Sequence, residues 1–134
     1  MKFKFARLDC DNVGDRIELS LYELDTEKAQ NINNLIRKNI VELAKEIKTE
    51  LNGEILLVGP DDIFFKTNFD VFDLEKLNFL KNGFFEKTGI TMSIGVGDDL
   101  ISAMRNLDIA KKMGKNRIFG DNSAVKSNSN ISES

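Results

Sequence analysis

The chain contains no histidine and no tryptophan, and only one cysteine, one proline and one tyrosine in 134 residues. Without histidine there is no imidazole acid–base catalysis, no Ser-His-Asp triad and no His-ligated zinc. A single cysteine excludes an internal disulfide and a cysteine-based zinc centre, and it suits a reducing cytoplasm, where the chain is expected to reside. Any metal site must then be built from oxygen, which favours Mg2+, Mn2+ or Ca2+. No apolar run approaches the ~18 residues that span a bilayer. The opening Met1-Lys2-Phe3-Lys4-Phe5 lacks the apolar stretch of a signal peptide. A formal charge of −3 supplies no broad attractive field, so neither a DNA or RNA polymer nor a membrane is an expected partner.

What is present suffices for one ordinary domain with a real core, at 41% hydrophobic and 31% charged residues. Phe3, Phe5 and Arg7 alternate with Lys4, Ala6 and Leu8, a strand pattern ending near Asp9. A polar turn, Asp9-Cys10-Asp11-Asn12-Val13-Gly14-Asp15, leads to a helix from about Asp15 with Ile17, Leu21 and Leu24 on one side. Asp25-Thr26 breaks that helix and caps the next. From Glu27 to Leu51 an apolar stripe of Ile32, Leu35, Ile36, Ile40, Leu43, Ala44, Ile47 and Leu51 predicts a long helix, stopped by Asn52-Gly53. Ile55–Val58 and Ile63–Phe65 flank Gly59-Pro60-Asp61-Asp62, a tight β-hairpin. A helix carrying Leu74, Leu77 and Leu80 follows, then a strand over Ile90–Val96. Asp98-Asp99 caps a helix with Leu100, Ile101, Met104, Leu107 and Ala110 inward, and Arg117–Phe119 is a short closing strand. The order predicts an α+β, ferredoxin-like βαββαβ domain over residues 1–120, with helices on one face of an antiparallel sheet. Residues 121–134, rich in Ser and Asn, are expected to form a disordered tail.

In that arrangement the first strand and the hairpin are neighbours, so Asp9 approaches Asp61 and Asp62. Converging carboxylates repel one another unless a cation sits among them. Two divalent ions ~3.5–4 Å apart serve in-line nucleotidyl transfer, one acidifying the attacking hydroxyl and one steadying the leaving pyrophosphate. Gly-Pro-Asp-Asp is also good turn chemistry, and Asp-x-Asp-Asn good capping chemistry, with no catalysis implied. Their joint placement at the ends of adjacent strands favours the catalytic reading. Lys111 and Lys115, four apart, are expected to share a helix face and grip a triphosphate, although a helix C-terminus attracts basic residues for its dipole alone, as Lys112 illustrates. Backbone N–H groups of Asn12-Val13-Gly14-Asp15 could meet phosphate at a helix N-terminus, with Gly14 permitting close approach. One domain with one metal site predicts two chains meeting face to face.

Four stretches carry a resemblance to a known family. Gly59-Pro60-Asp61-Asp62 is similar to the Gly-Gly-Asp-Glu-Phe or Gly-Gly-Asp-Asp turn of nucleotidyl cyclases and CRISPR palm polymerases. Thr91-Met92-Ser93-Ile94-Gly95-Val96 resembles the Ser-Ile-Gly strand of GGDEF domains, and Ala110-Lys111-Lys112-Met113-Gly114-Lys115-Asn116-Arg117 their Ala-Lys-x-x-Gly-basic-Asn ending. Asp9-Cys10-Asp11-Asn12-Val13-Gly14-Asp15 resembles the opening of the minimal CRISPR polymerases, mCpol. The resemblance implies Asp9 and Asp62 as ligands of Mg2+ or Mn2+, with the Cys10 carbonyl as a backbone ligand and Asp61 beside the metals. It implies that Asp11, Asn12, Val13, Gly14 and Asp15 carry phosphates, that Gly59 lies where the nucleotide passes, and that Lys111 and Lys115 hold the triphosphate. The implied function is cyclisation of nucleoside triphosphates, ATP favoured and the base open, into a cyclic di- or oligonucleotide signal in antiphage defence, sensed by a membrane effector. Pro60 replaces the family's second glycine, and Ile17 stands where diguanylate cyclases read guanine, which argues against a guanine-specific enzyme. A hydrolase resembling GTP cyclohydrolase III and a degenerate nucleotide-binding palm are the alternatives.

Overall fold

The structure, a computed structural model, describes residues 2–120. The expected tail over 121–134 lies outside the described residues. Elements follow in the order β1 (Phe3–Cys10), α1 (Val13–Tyr22), α2 (Thr26–Glu50), β2 (Glu54–Val58), β3 (Asp62–Asn68), a 3-10 turn (Phe69–Val71), α3 (Leu74–Thr88), β4 (Met92–Gly97), α4 (Leu100–Lys112) and β5 (Ile118–Phe119). The strands form one sheet in the order β2-β3-β1-β4-β5. β1 lies at its centre, antiparallel to β3 and β4, while β5 joins β4 in parallel. The fold is the expected α+β, ferredoxin-like arrangement, with a second helix in the first crossover and β5 added at the edge.

Alternation along β1 sorts the sheet into two faces. Lys4, Ala6, Leu8 and Cys10 are buried, and Phe3, Phe5, Arg7 and Asp9 are half-buried. Ala6 stands opposite Phe65 and Val96, and Leu8 opposite Ile63 and Ile94. These rows join Ile36, Ile40, Leu43 and Ile47 of α2 and Leu77, Leu80 and Phe84 of α3 in the main core. On the other face run Arg7 with Phe64 and Gly95, then Asp9 with Asp62 and Ser93.

α4 covers part of this second face, so the helices do not all share one side. Its approach is set by glycine. A methyl group added to Gly95 would lie 2.1 Å from the Ala103 carbonyl oxygen, and one on Gly97 2.6 Å from Ser102 Cβ. At such proximity only a narrow line of side chains fits beneath the helix, and Ala103, Leu107 and Ala110 occupy it. The expected inward set is corrected accordingly: Leu100 and Met104 are half-exposed and Ile101 is 68% exposed. In α1 the expected apolar side is also displaced. Val13 and Ser20 are buried and Ile17 packs partly on the core, whereas Leu21 is half-exposed and Leu24 is 89% exposed in a left-handed turn (φ 58°). α1 lies against α2 rather than flat on the sheet, so a full apolar face is not needed there.

Helix starts follow the sequence closely. Asp25, Asp73 and Asp99 each accept a hydrogen bond from the backbone N–H three residues on, at Lys28, Lys76 and Ser102. The Ser102 N–H holds the Asp99 carboxyl below the usual carboxylate range. Among the described residues no helix is long and apolar enough to cross a membrane.

Two glycines in regular elements should respond oppositely to alanine. Gly95→Ala forces the β4–α4 contact apart and is expected to cost about 3 kcal/mol. Gly83→Ala, inside α3 with open space around the new methyl, is expected to stabilise by roughly 0.5–1 kcal/mol. Urea unfolding of both variants checks the pair.

Candidate active site

The site forms where the C-terminal end of β1 meets the β2–β3 turn. Asp9 and Asp62 are directly paired across β1 and β3 on the face that α4 partly covers. The Cys10 N–H donates to the Asp61 carbonyl at 3.0 Å, and the Gly59 N–H to the Asp62 carbonyl at 2.9 Å, which closes the hairpin. Gly59 has a specific steric task. A methyl group there would lie 1.9 Å from Asp62 Oδ1, so the missing side chain is the space that this carboxylate fills.

Each member of the acidic pair is met by a cation. The Lys111 ammonium donates to Asp9 Oδ2, and Arg7 Nη2 donates to Asp62 Oδ2 at 3.1 Å. Asp61, in the turn, is raised above the ordinary carboxylate pKa, first by burial and then by the charges of Asp9 and Asp62. Asp61 thus lies within electrostatic reach of the facing pair. The three carboxylates do not form one ligand shell: among the described residues no three His, Cys, Asp or Glu groups surround a common ion position. The expectation of three or four converging carboxylates thus reduces to a facing pair, Asp9 and Asp62, with Asp61 alongside. Cys10 turns its thiol into the core, where burial and the surrounding carboxylates push its pKa far up, so toward the site it presents backbone alone.

Asp11 is drawn away from any ligand. It is 3% exposed, and its carboxylate accepts hydrogen bonds from Thr91 Oγ1 (2.7 Å), Ser93 Oγ (2.7 Å) and the Asn116 N–H (3.1 Å). Its side chain is a brace between β1, β4 and the loop after α4, which leaves only the backbone of this turn to face a phosphate. Asn12 follows in the left-handed region (φ 60°) as the N-cap of α1, and its amide oxygen accepts from the Lys115 ammonium. Val13 is buried, Gly14 faces open space and Asp15 is exposed.

α4 ends at Lys112, so Lys115 is not on the helical face of Lys111. Gly114, Lys115 and Asn116 instead have φ of 114°, 65° and 50°, three successive left-handed residues that fold the chain back toward β1. Both lysines nonetheless reach the β1 end, Lys111 at Asp9 and Lys115 at Asn12. Lys81 of α3 supports this loop from beneath. Its buried ammonium donates to Asn116 Oδ1 at 2.6 Å, and burial lowers its pKa against the opposing pull of Asp11.

Sequence reasoning missed Arg7, Lys81, Thr91 and Ser93 as members of the site. Arg7 was legible: two residues before Asp9 in a strand, it shares its face. Ser93 was legible too, as a polar residue in an otherwise apolar buried strand. Lys81 was legible as well: four after Leu77 and three before Phe84, it falls on the buried stripe of α3, where Lys76 and Lys87 do not.

The sheet with its packed helices has the α+β fold of a palm domain. Among solved structures the chain is similar to the Csm1–Csm4 cassette in complex with cA4 (TM-score 0.68, 17% identity, 90% of this chain and 21% of that one). It is also similar to the guanylyl cyclase Cya2 (TM-score 0.62, 11% identity, 94% and 77%) and to an EAL/GGDEF domain protein from M. capsulatus (TM-score 0.56, 18% identity, 90% and 85%). At these identities the likeness is one of fold, and the chain spans about a fifth of the length of the Csm1-containing match. No curated protein matches. The minimal CRISPR polymerase domain matches residues 5–120, and the chain belongs to this mCpol family.

The brace and the loop lysine should separate by stability. Asp11→Ala leaves two buried or half-buried hydroxyls and one N–H without their acceptor and is expected to destabilise by about 3 kcal/mol. Lys115→Ala, at an exposed contact, should stay within about 0.5 kcal/mol of the parent. Chemical denaturation followed by circular dichroism distinguishes them.

Proposed function

We propose that the chain is a metal-dependent nucleotidyltransferase that converts nucleoside triphosphates into a cyclic di- or oligonucleotide with release of pyrophosphate. The observation that carries this reading is the facing Asp9–Asp62 pair on β1 and β3, with Lys111 and Lys115 brought to the same end of the sheet. Membership of the mCpol family and likeness to palm domains, among them Csm1–Csm4 cassettes in complex with ATP, pppApApA and cA4, support a nucleotide cyclase or polymerase type of chemistry. The same complexes favour ATP as substrate.

The donor set fits a hard divalent cation. Asp9 and Asp62 offer carboxylate oxygens, no histidine competes, the Cys10 thiol is turned away, and both carboxylates already attract positive side chains. Asp9 and Asp62, with the Cys10 carbonyl, would hold Mg2+ or Mn2+; a second ion would draw in Asp61. When bound, such an ion supplies positive charge at the α-phosphate and acidifies the attacking ribose hydroxyl. The residues of the chain itself bind and orient. Lys111 and Lys115 hold the triphosphate, and the backbone of the Asn12–Asp15 turn offers N–H groups to its phosphates. A ribose hydroxyl forms its bond to the α-phosphorus as the bond to the β-phosphate bridging oxygen breaks and pyrophosphate leaves; a second such step closes the ring. Because one such facing pair is present among the described residues, two chains facing each other would place each nucleotide's hydroxyl against its partner's α-phosphate. The cyclic product would act as a signal in antiphage defence, read by a membrane effector.

Incubation of the purified chain with mixed triphosphates and Mn2+ should give pyrophosphate and a cyclic phosphodiester by mass spectrometry. Asp9→Ala and Asp62→Ala should each lower the rate about a thousandfold. A formylamino-pyrimidine nucleotide as product would instead support the hydrolase. Untouched triphosphates with both Mg2+ and Mn2+ would sink the reading. Gly59→Ala, which displaces the Asp62 carboxylate, should lose most of the activity, with a Tm within about 4 °C of the parent because the clash is with a movable side chain.

A further inference from the structure

Arg7 has no part in the chemistry above, yet its placement is specific. Alternation on β1 sets it on the face of Asp9, opposite Phe64 on one side and Gly95 on the other. Toward Gly95 the space is filled, since even a methyl group there would meet the α4 backbone at 2.1 Å. The side chain lies instead across β3, with its guanidinium carbon 5.8 Å from the Phe64 ring centroid and Nη2 bonded to Asp62 Oδ2. Both partners are largely shielded, at 28% and 16% side-chain exposure.

The pair is poorly matched for arginine. A guanidinium meets a carboxylate best through two parallel N–H···O bonds. Here one bond of 3.1 Å is formed, and Nε is buried with no hydrogen-bond partner. A buried donor left in this way is costly. Asp62 Oδ1, the oxygen not bonded to Arg7, lies against Gly59. The single oxygen that Arg7 holds is therefore also one that a cation approaching the Asp9–Asp62 pair would require.

We infer that Arg7 and a divalent cation compete for Oδ2 of Asp62, so that Arg7 sets how readily the acidic pair takes up metal. This inference rests on the reading of Asp9 and Asp62 as metal ligands. Charge explains its use. Asp9, Asp61 and Asp62 are opposed by Lys111 and Arg7, three negative groups against two positive ones, so a lone divalent ion meets little net attraction. A triphosphate reverses the balance, because its negative charge accompanies the ion and offers Lys111 and the displaced guanidinium new partners. Arg7 thereby ties metal uptake to nucleotide arrival. It acts as a positioning residue through Asp62 and holds its place over Phe64 when it gives the carboxylate up.

Binding of Mn2+ to the full chain without nucleotide, followed by electron paramagnetic resonance of the free ion, tests this. Arg7→Met keeps much of the length and removes the charge; it should tighten Mn2+ binding about tenfold, which corresponds to ~1.4 kcal/mol. Arg7→Lys, which keeps the charge, should stay within about threefold of the parent. Circular dichroism confirms that each variant is folded. Unchanged or weaker binding in a folded Arg7→Met would overturn the inference and leave the proposed function standing. If neither the parent nor Arg7→Met shows saturable binding, the inference fails; if Asp62→Asn binds Mn2+ as the parent does, the metal-site reading fails and the inference with it.

Discussion

Two carboxylates held opposite each other on adjacent strands need positive charge close by. Asp9 and Asp62 are fixed at that separation by the β1–β3 register and by the hairpin that Gly59 closes, so neither can retreat without breaking sheet pairing. Lys111 answers one and Arg7 the other. In shielded surroundings such attraction is several times stronger than in water. Much of the local architecture serves to bring these four groups together: the glycine in the hairpin, the close approach of α4 that carries Lys111, and the central place of β1.

The polar brace around Asp11 completes that arrangement from behind. Thr91, Ser93 and the Asn116 backbone converge on one buried carboxylate, and Lys81 reaches Asn116 from α3. A buried charge is tolerated when its lone pairs are filled and an opposite charge stands near, and both conditions hold. The network fastens the left-handed loop Gly114–Asn116 to the end of β1. Left-handed backbone at Lys115 and Asn116 is strained for side chains that lack glycine's freedom, and the bonds of Asn116 to Asp11 and Lys81 hold it. Lys111 and Lys115 thus reach the same region by different means, one from a helix and the other from a bent loop.

How much of this could be read beforehand follows from the range of each interaction. The helix starts at Asp25, Asp73 and Asp99, the long α2 stripe and the turn at Gly59–Asp62 are local in sequence, and each carries its own signal in residue type and spacing. The nearness of Asp9 to Asp62 followed from strand order alone. The errors arose where packing outweighed pattern. Leu100, Ile101 and Met104 have the spacing of a core face, but α4 sits on two glycines so closely that Ala103 and Leu107 take the contact. Lys111 and Lys115 have helical spacing, but α4 ends between them. Asp11 lies in the turn expected to carry phosphates, and no local pattern shows that its carboxylate is claimed by three donors from distant segments.

The sequence by itself determined the chemical alphabet of the site: oxygen donors without histidine, an acidic hairpin, a basic segment after the last long helix, and the order of elements that brings them to one sheet. It did so because composition, alternation and turn residues act over a few positions of chain. Tertiary structure alone decided which carboxylates face the site and which is buried as a brace. It also decided that Arg7 rests on Asp62, and that Lys81 lies under the loop that presents Lys115. These outcomes depend on register between strands far apart in the chain and on the few ångströms that Gly59, Gly95 and Gly97 leave open, quantities that no local pattern encodes.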